Sequence, residues 1–526
     1  VGLGKTIEAC LILNQMIVCG RVNRVFILLP NSLVNQWFIE LLRRFNLWFS
    51  IFDEERCCAI ENSQPGFNPF EDDQLLIADI DWLSKSTKRM EQAVQAPWDM
   101  LIVDEAHHLE WNPEKPSAKY QLTQALGQRA GSLILLSATP QQLGLESHFA
   151  RLHLLDPARF SNFAAFKDET DQYKPVAILC KKLIDNESLK IEELQQFPCP
   201  ESLLSKATLE LTKGKKLTTQ TRDKLIRDLA DRHGTGRVLF RNTRKTTHGF
   251  PKRLAKLHPL PPTNSAPSND IDQAEFAFDI GLSKTESNHD FDDDKRIEWL
   301  TKLLQKNEAE KVLLICRSKA KAIAIEASLR KRANLKIGIF HEDLTLIQRD
   351  RNAAWFAEED GAEILICSEI GSEGRNFQFC HHLVLFDLPL NPELLEQRIG
   401  RLDRIGQKDN IQIHVPFIKS SNREVLAKWL HHGLNAFEES IPDGETLLNE
   451  FKDRLCQHFT GTPLNLPQLI KDTNESHKRL SAKLQEGTDR LLEINSHSSA
   501  ISSELIREIQ DAENSTELEK LALRLF

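Results

Sequence analysis

The chain has 526 residues, of which 40% are apolar and 27% charged, and its mean hydropathy is -0.38. This composition indicates a globular protein of several domains and excludes a disordered chain and a membrane-embedded one. Lysine and arginine number 67 against 76 aspartate and glutamate, so any surface that binds nucleic acid must be local. The ten cysteines contain no C-x-x-C pair and predict neither a disulfide framework nor a zinc site, so we expect a cytoplasmic protein. The apolar stretch Ile7–Val18 is interrupted by polar residues and is too short to span a bilayer, so we expect no membrane partner.

Short apolar runs alternate with amphipathic runs of helix length in residues 1–156. The apolar runs, which we predict to be strands, are Val25–Leu29, Leu75–Ala78, Met100–Val103 and Leu133–Leu136. Helical spacing is present between them at Ser32–Arg44 and Ala118–Leu126. Because runs buried on both faces are typical of a parallel sheet covered by helices, this region is predicted to be a doubly wound α/β lobe.

Residues 157–290 lose this alternation. Helical patterns are present at Ile191–Gln196 and Thr221–Asp231, and Arg232–Asn269 contains no acidic residue. An acidic stretch follows, and four prolines lie near the junction, at Pro259, Pro261, Pro262 and Pro267. This composition predicts a helical insertion followed by a basic and acidic linker.

The alternation resumes in residues 291–422. The predicted strands are Val312–Cys316, Ile337–Phe340, Ile364–Cys367 and Leu383–Phe386, and the predicted helices between them include Lys319–Lys331 and Leu346–Ala357. We therefore expect a second α/β lobe that has all its own elements between Lys295 and Lys419. Residues 423–526 have helical spacing, at Glu424–Leu430, at Leu466–Ile470 and from Glu475 to the end.

The first residues of the chain have the pattern of the second half of a phosphate-binding loop. They are Gly2, Leu3, Gly4, Lys5 and Thr6. The backbone N–H groups and the helix N-terminus would hold the phosphates of ATP, Lys5 would contact the β and γ phosphates, and Thr6 would bind Mg²⁺. A glycine turn before a helix has the same short pattern, so this loop does not decide between the two by itself.

Two adjacent carboxylates, Asp104 and Glu105, follow a predicted strand directly. Asp104 would hold Mg²⁺ through water and Glu105 would orient an attacking water. A carboxylate pair at a strand end is usually a solvated turn. Combined with Lys5 and Thr6, and with Ser137-Ala138-Thr139-Pro140 at the end of the next strand, the pair predicts an ATPase site.

Two patterns in the predicted second lobe are also consistent with an ATPase site. Within Gln397–Gln407, Arg401 and Arg404 are three residues apart, so on a helix they would share one face. Two guanidinium groups on one face suit the charge that develops on a transferring phosphoryl group, although a solvated basic face has the same pattern. In 368–376, glycines after a strand permit close approach of the backbone to a ligand, although a plain loop would look alike.

These blocks, in this order, resemble the Swi/Snf-type ATPases of helicase superfamily two, whose hallmarks are a G-L-G-K-T loop, a D-E-A-H box and a Q-R-I-G-R-x-x-R-I-G-Q block. Further stretches are similar to a bacterial branch of that family that associates with RNA polymerase. They are 41–46, 231–235, 238–244, 249–253, 355–360 and 487–494. The resemblance implies an α/β fold with two tandem RecA-like doubly wound lobes, a helical insertion and linker, and a helical C-terminal extension.

The resemblance also implies an ATP-dependent translocase on double-stranded DNA that acts on core RNA polymerase to promote its recycling. Gly371, Glu373 and Gln397 would join the nucleotide site. Ser137, Thr139 and His107 would couple hydrolysis to movement, and Arg241, Arg244 and Asn376 would contact nucleic acid. Two alternatives stay open: an unwinding helicase of the D-E-A-H type, and a catalytically silent binding module.

In this family an Asp-Glu pair and a strand come before the position of Val1, and the first methionine here is Met16. We therefore expect a chain cut at its N-terminus and, because the helical pattern stops abruptly at Phe526, at its C-terminus. A lobe without that strand would have an incomplete phosphate loop and exposed sheet edges. We therefore expect this chain to show little DNA-stimulated ATPase activity and to aggregate, whereas the second lobe by itself should be soluble and fold cooperatively.

Overall fold

The computed structural model divides the chain into two compact units. Unit 1 comprises Val1–Ser161 and His248–Ser481, and unit 2 comprises Asn162–Thr247 and Ala482–Phe526. The residues described are 4–137, 144–184, 187, 189, 191–195, 200–212, 217–233, 238–240, 250–262, 266–286, 290–306, 310–369, 377–441, 444–486 and 499–513. Within these ranges the cysteines are free thiols, and none of the helices is long and apolar enough to span a bilayer.

The first lobe, in unit 1, is built on a parallel sheet of five strands in the order β2-β3-β1-β4-β5. The strands are β1 (Val25–Leu29), β2 (Ser50–Phe52), β3 (Leu75–Asp79), β4 (Met100–Val103) and β5 (Ser132–Leu135). Every residue of β1 and β4 is buried, as expected for apolar runs at the centre of a covered parallel sheet.

Helices cover both faces of this sheet. They are α1 (Lys5–Val18), α2 (Asn31–Phe45), α3 (Glu54–Ser63), α4 (Ile80–Lys85), α5 (Thr87–Gln95), α6 (Ala118–Gly127) and α7 (Gly144–Leu155). Leu13 and Trp37, from α1 and α2, belong to one hydrophobic core, and Trp98 and Tyr120 belong to another. The Ser117 side chain caps α6 by accepting a hydrogen bond from the Tyr120 N–H, which fixes where that helix begins.

Unit 2 is helical in the residues that the structure describes. Its helices include α8 (Phe163–Ile184), α9 (Ile191–Gln195), α10 (Glu201–Thr212) and α11 (Thr219–His233). They share a core of their own, in which Val176, Leu194 and Leu225 are buried. These helices occupy the first part of the range in which the sequence predicts a helical insertion.

The second lobe, also in unit 1, has a parallel sheet of six strands in the order β6-β11-β10-β7-β9-β8. The strands are β6 (Arg253–Leu260), β7 (Val312–Cys316), β8 (Ile337–Phe340), β9 (Ile364–Ser368), β10 (His382–Leu385) and β11 (Ile411–Ile418). The helices that accompany them are α12 (Ala266–Asp279), α13 (Lys295–Lys306), α14 (Lys319–Arg332), α15 (Leu346–Ala357) and α16 (Pro392–Ile399).

Part of the expected linker belongs to this second lobe. Strand β6 pairs with β11 along its whole length, from Arg253 to Leu260, and Phe276 of α12 lies in the hydrophobic core of the lobe. The expectation that residues 250–290 form a linker, and that the lobe is self-contained from Lys295, is therefore wrong. The physical reason is that an edge strand is half exposed, so it tolerates a lysine and a proline that look like linker composition.

The described residues from 422 to 481 continue the same lobe. Helix α17 (Asn422–Lys428) runs into a π-helical turn, Trp429–Gly433, and α18 (Gly444–Phe459) and α19 (Leu466–Glu486) follow. Trp429, Phe451 and Leu469 are buried in the core of the second lobe. The last described helix is α20 (Ser499–Glu513), in unit 2.

Candidate active site

Asp104 and Glu105 lie at the carboxyl edge of the first lobe's sheet, directly after the buried strand β4. The Asp104 N–H donates to the Leu28 carbonyl at 2.9 Å, and the Ala106 N–H donates to the Leu136 carbonyl at 2.8 Å. The carboxylate pair is thereby fixed between the ends of β1 and β5. Ligands of open α/β sheets bind at this edge.

The backbone of Glu105 is in the left-handed region, with φ 49° and ψ 44°. A residue with a side chain pays on the order of 1–3 kcal/mol for such a conformation, and residues of this kind concentrate at functional sites. The Glu105 N–H donates to Oδ1 of Asp104 at 2.8 Å. This turn points two adjacent side chains to the same edge, where a regular strand would point them to opposite faces.

Asp104 is 5% exposed, and two donors hold its carboxylate. The indole Nε1 of Trp37, on α2, donates to its Oδ2 at 2.9 Å, and the Glu105 N–H occupies its Oδ1. Burial raises the pKa of Asp104 above its usual range, the charge of Lys5 opposes this shift, and the charge of Glu105 adds to it. An added positive charge beside Asp104 would therefore stabilise its ionised form.

Lys5 is the first residue of α1 and faces the carboxylate pair. Its Nζ lies 3.9 Å from Oδ1 of Asp104 and 3.6 Å from Oε2 of Glu105, beyond hydrogen-bond distance. This nitrogen is buried and has no hydrogen-bond partner among the residues that the structure describes. Gly4, before it, has φ +81°, and no side chain caps the helix, so the first N–H groups of α1 have no acceptor within the helix.

This arrangement fits the phosphates of a nucleotide with Mg²⁺. The Lys5 ammonium makes no hydrogen bond to the two carboxylates that it faces, and the helix N-terminus has no side-chain cap, so both have N–H groups to offer to phosphate oxygens. Thr6, half-buried in the first turn of α1, and Asp104 offer the hard oxygen ligands that Mg²⁺ takes. The residues present therefore suit the ATP and Mg²⁺ that the sequence predicts.

His107 and Glu105 form a pair in this site, with 3.1 Å between Nδ1 and Oε2. Burial would raise the pKa of Glu105, but the neighbouring His107 and the charge of Lys5 outweigh it and lower the pKa to about 2. Burial and the neighbouring His107 lower the pKa of His108. Glu105 is therefore a carboxylate at neutral pH, as a residue that orients water must be.

A cavity of about 200 Å³ opens beside the two carboxylates. On its other side lies the ion pair between Asp81 and Lys119, with 2.8 Å between Oδ1 and Nζ. Polar groups thus face the cavity from both sides, and Asp104 and Glu105 are accessible from it.

In the second lobe, α16 ends at Ile399, with Gly400 as its C-cap, and Arg401 and Arg404 follow in turns. The expectation that they share a helix face is therefore wrong, because the helix ends at Ile399, two residues before Arg401. Arg404 Nε donates to the Gly400 carbonyl at 3.1 Å. Burial lowers the pKa of Arg404, and the charge of Glu40, on α2 of the first lobe, opposes this shift. Arg404 thus lies within electrostatic range of the first lobe.

Arg398, in the same block, is a functional candidate that the sequence reasoning missed. It is buried, and its guanidinium donates to Oε1 of Glu369 at 2.8 Å and to Oδ1 of Asp387 at 2.9 Å. Because Glu369 follows β9 and Asp387 follows β10, these hydrogen bonds connect the ends of both strands to α16. Its place beside Leu395 and Ile399 on the buried face of the helix is the signal that could have found it.

The other predicted residues are placed as follows. Gln397 is half-buried on α16, and Ser137 follows β5, beside the Leu136 carbonyl that binds Ala106. Trp37 was also missed, although it continues the apolar face of α2 between Val34 and Leu41. The remaining predicted site residues lie outside the described part of the chain: Gly2, Leu3, Thr139, Arg241, Arg244, Gly371, Glu373 and Asn376.

Comparison with known proteins places these motifs in a family. Three family models match: a SNF2-related domain at residues 1–260, a helicase conserved C-terminal domain at 295–406, and an RNA polymerase recycling family C-terminal region at 410–526. The chain is 43% identical over 555 residues to the RNA polymerase-associated protein RapA of Vibrio campbellii, and 44% identical over 550 residues to that of Vibrio vulnificus. The chain belongs to the RapA family. The resemblance to Swi/Snf-type ATPases is thereby confirmed.

The match covers the whole of this chain and 56% of the length of each RapA protein, so the chain spans little more than half of these relatives. Two solved structures are also similar. The SWI2/SNF2 ATPase core of Sulfolobus solfataricus in complex with dsDNA is 16% identical, with a TM-score of 0.32, and the match covers 86% of this chain and 90% of that one. The Hef helicase domain of Pyrococcus furiosus is 16% identical, with a TM-score of 0.39, and the match covers 81% and 92%. Because both TM-scores are low, we draw no functional conclusion from these two structures.

Proposed function

We propose that this RapA-family chain is the core of a motor that hydrolyses ATP, moves along double-stranded DNA and acts on RNA polymerase to promote its recycling. The observation that carries the proposal is the buried Lys5 ammonium. It has no hydrogen-bond partner in the described part of the chain, and it faces Asp104 and Glu105 across less than 4 Å. A lysine, a helix N-terminus and two carboxylates at one sheet edge suit phosphoryl transfer to water.

Each residue has a distinct role in this proposal. Lys5 and the first N–H groups of α1 bind phosphate oxygens, and Thr6 and Asp104 hold the metal. When bound, Mg²⁺ supplies positive charge that stabilises the transferring phosphoryl group. Glu105 accepts a hydrogen bond from the attacking water, and His107 holds the Glu105 carboxylate in place.

The second lobe contributes Arg401 and Arg404, which would stabilise charge on the phosphoryl group. Arg404 already lies within electrostatic range of Glu40 in the first lobe, which supports a site completed by both lobes. Gln397, Gly371 and Glu373 would add nucleotide contacts. Ser137 and Thr139 would pass the state of the nucleotide to Arg241, Arg244 and Asn376, which would contact DNA.

The partners come to the proposal from the relatives. The similar proteins are named RNA polymerase-associated, and the last 117 residues match a family named for polymerase recycling, which supports core RNA polymerase as a partner. Duplex DNA as the track is what the resemblance to Swi/Snf-type ATPases implies, and the SNF2-related match supports that resemblance. A partner of this kind supports a location in the bacterial cytoplasm, in association with the nucleoid.

The test is ATP binding and phosphate release by the chain, with and without duplex DNA. Lys5→Ala should abolish ATP binding, whereas Lys85→Ala, an exposed lysine on α4, should leave it unchanged. Displacement of a triplex-forming strand without separation of the duplex would support translocation, and separated strands would indicate an unwinding helicase. If wild-type chain bound no ATP, the silent binding module would be the better account. Co-purification with core RNA polymerase tests the partner independently.

A further inference from the structure

A glutamate and two adjacent histidines meet at the amino edge of the second lobe's sheet, away from the carboxyl edge that carries Arg398. Glu310 lies just before β7, and His381 and His382 lie at the start of β10. One ligand atom of each residue lies within 4.8 Å of the other two. His381 Nε2 is 3.9 Å from Oε1 of Glu310, and His382 Nε2 contacts Oε2 of the same carboxylate.

A row of imidazole rings backs this cluster. His382 Nδ1 is 3.0 Å from Nε2 of His414, and His414 Nδ1 is 3.1 Å from Nε2 of His258. The three rings come from the adjacent strands β10, β11 and β6 and stack with centroids 5.3 Å apart. Trp299 packs against the ring of His258, with centroids 4.5 Å apart. The ring of His382 is therefore held rigidly, with Nε2 directed at Glu310.

The hydrogen bonds along this row couple the protons of the three rings. Each nitrogen-to-nitrogen bond holds one proton, so when Nε2 of His382 presents its lone pair, Nδ1–H of His382 must donate to His414. His414 then donates through its own Nδ1–H to His258. Metal-binding histidines are oriented in this way, by a partner on the nitrogen that does not bind the metal.

We propose that Glu310, His381 and His382 bind one Zn²⁺ ion, with His414 as a positioning residue. Two imidazoles and a carboxylate are a common ligand set for Zn²⁺, which takes a water in its fourth position. With bonds of about 2.1 Å, tetrahedral ligand atoms lie roughly 3.4 Å apart. Glu310 is nearly half exposed and free to move closer. The ion would tie the start of β10 to the chain that enters β7.

The proposal is tested by equilibrium dialysis of the untagged chain against Zn²⁺, with bound metal measured by mass spectrometry. We expect one Zn²⁺ per chain. Glu310→Gln and His381→Ala should each weaken binding at least 10-fold, and His414→Gln should weaken it about 10- to 100-fold, as loss of an orienting partner does. His432→Ala is the matched control, because His432 belongs to a second adjacent histidine pair and is exposed, and it should change nothing.

Two further measurements make the outcome decisive. Glu310→Gln alters an exposed side chain, so its unfolding midpoint without metal should equal that of wild type. Co²⁺ in place of Zn²⁺ should give the visible absorption of a tetrahedral nitrogen and oxygen site, without the thiolate charge-transfer band that exposed Cys19 or Cys58 would produce. Wild-type affinity in both Glu310→Gln and His381→Ala, or a thiolate band, would overturn the proposal.

Discussion

The indole nitrogen of Trp37, on α2, donates a 2.9 Å hydrogen bond to Oδ2 of Asp104, at the end of β4. Both residues are almost fully buried. The bond favours the charged form of a carboxylate whose pKa burial raises, and it connects the packing of α2 to the charge of the proposed metal ligand. A residue in a hydrophobic core thus contributes to the ionisation of a residue in the site.

Trp37→Phe should shift the pH dependence of ATP hydrolysis. The indole N–H stabilises the charged form of Asp104, so its loss raises the pKa of Asp104 further and moves the acid limb of the pH–rate profile to higher pH. The buried acceptor left without a donor should also cost about 1–3 kcal/mol of unfolding free energy. Steady-state rates across pH and denaturant unfolding measure the two effects.

Trp98→Phe is the matched control for this variant. Trp98 is also buried in the first lobe, but its Nε1 donates to the Ala93 carbonyl at 2.8 Å, away from the site. It should lose comparable stability with an unmoved acid limb. If Trp37→Phe also left the acid limb in place, the bond to Asp104 would have no bearing on the reaction.

In a chain extended at its N-terminus by the upstream part of the phosphate loop, Glu105→Gln should keep ATP binding and slow hydrolysis by roughly 10²-fold or more, because only the group that orients water is lost. The amide is nearly isosteric, so the left-handed backbone at this position is retained. Phosphate release and ATP affinity, measured on the same preparation, separate the two effects. Glu110→Gln, an exposed carboxylate nearby, should leave both unchanged. Near-normal turnover by Glu105→Gln would contradict the assignment.

The sequence predicted the strands that are continuous apolar runs and missed β2, β6 and β11. The bounds of β1, β4, β7 and β8 agree with the predicted apolar runs. Strand β2 has three residues, β6 is half exposed, and β11 is interrupted by His414 and Pro416. Their pairing is decided by the neighbouring strand, which local hydropathy does not contain.

Within the candidate active site, too, some residues could be predicted from the sequence and others could not. Lys5, Asp104 and Glu105 could be predicted to meet because a loop before a helix and the carboxyl ends of parallel strands share one edge of a sheet. The partners that fix them depend on tertiary packing. The Trp37 bond to Asp104 joins residues 67 positions apart, and no motif spacing encodes it.

Replacing Arg404 by Lys should reduce hydrolysis by roughly 10³-fold or more with little change in ATP affinity, by analogy with other arginine fingers. Lysine keeps the charge but lacks the planar fork, and we expect the same of Arg401→Lys. Single-turnover hydrolysis at saturating ATP isolates the chemical step. Arg454→Lys, far along the chain in α18, is the control. Collapse of ATP affinity with an intact chemical step would make these arginines binding residues only.

Lys321, on α14, is fully buried and joins three carboxylates. Its Nζ lies 2.9 Å from Glu275 and 3.1 Å from Asp387, and it also contacts Asp279. Glu275 and Asp279 belong to α12, which the sequence placed in a linker. Burial lowers the pKa of Lys321, but the three carboxylates outweigh it and keep the ammonium charged. This cluster attaches α12 to the second lobe.

Lys321→Met should destabilise the chain by about 3 kcal/mol, near the low end for a broken buried pair. The cost is limited because Arg423 still contacts Glu275 and Asp279, each at 2.9 Å, and Arg398 still contacts Asp387.

The control is Lys331→Met, which breaks an exposed ion pair on the same helix and should cost at most about 1 kcal/mol of unfolding free energy. Denaturant unfolding compares them. Adding Asp279→Asn to Lys321→Met should recover part of the loss, because burial and neighbouring carboxylates already raise the pKa of Asp279. Equal losses in the two lysine variants would mean that the buried cluster does not hold α12 in place.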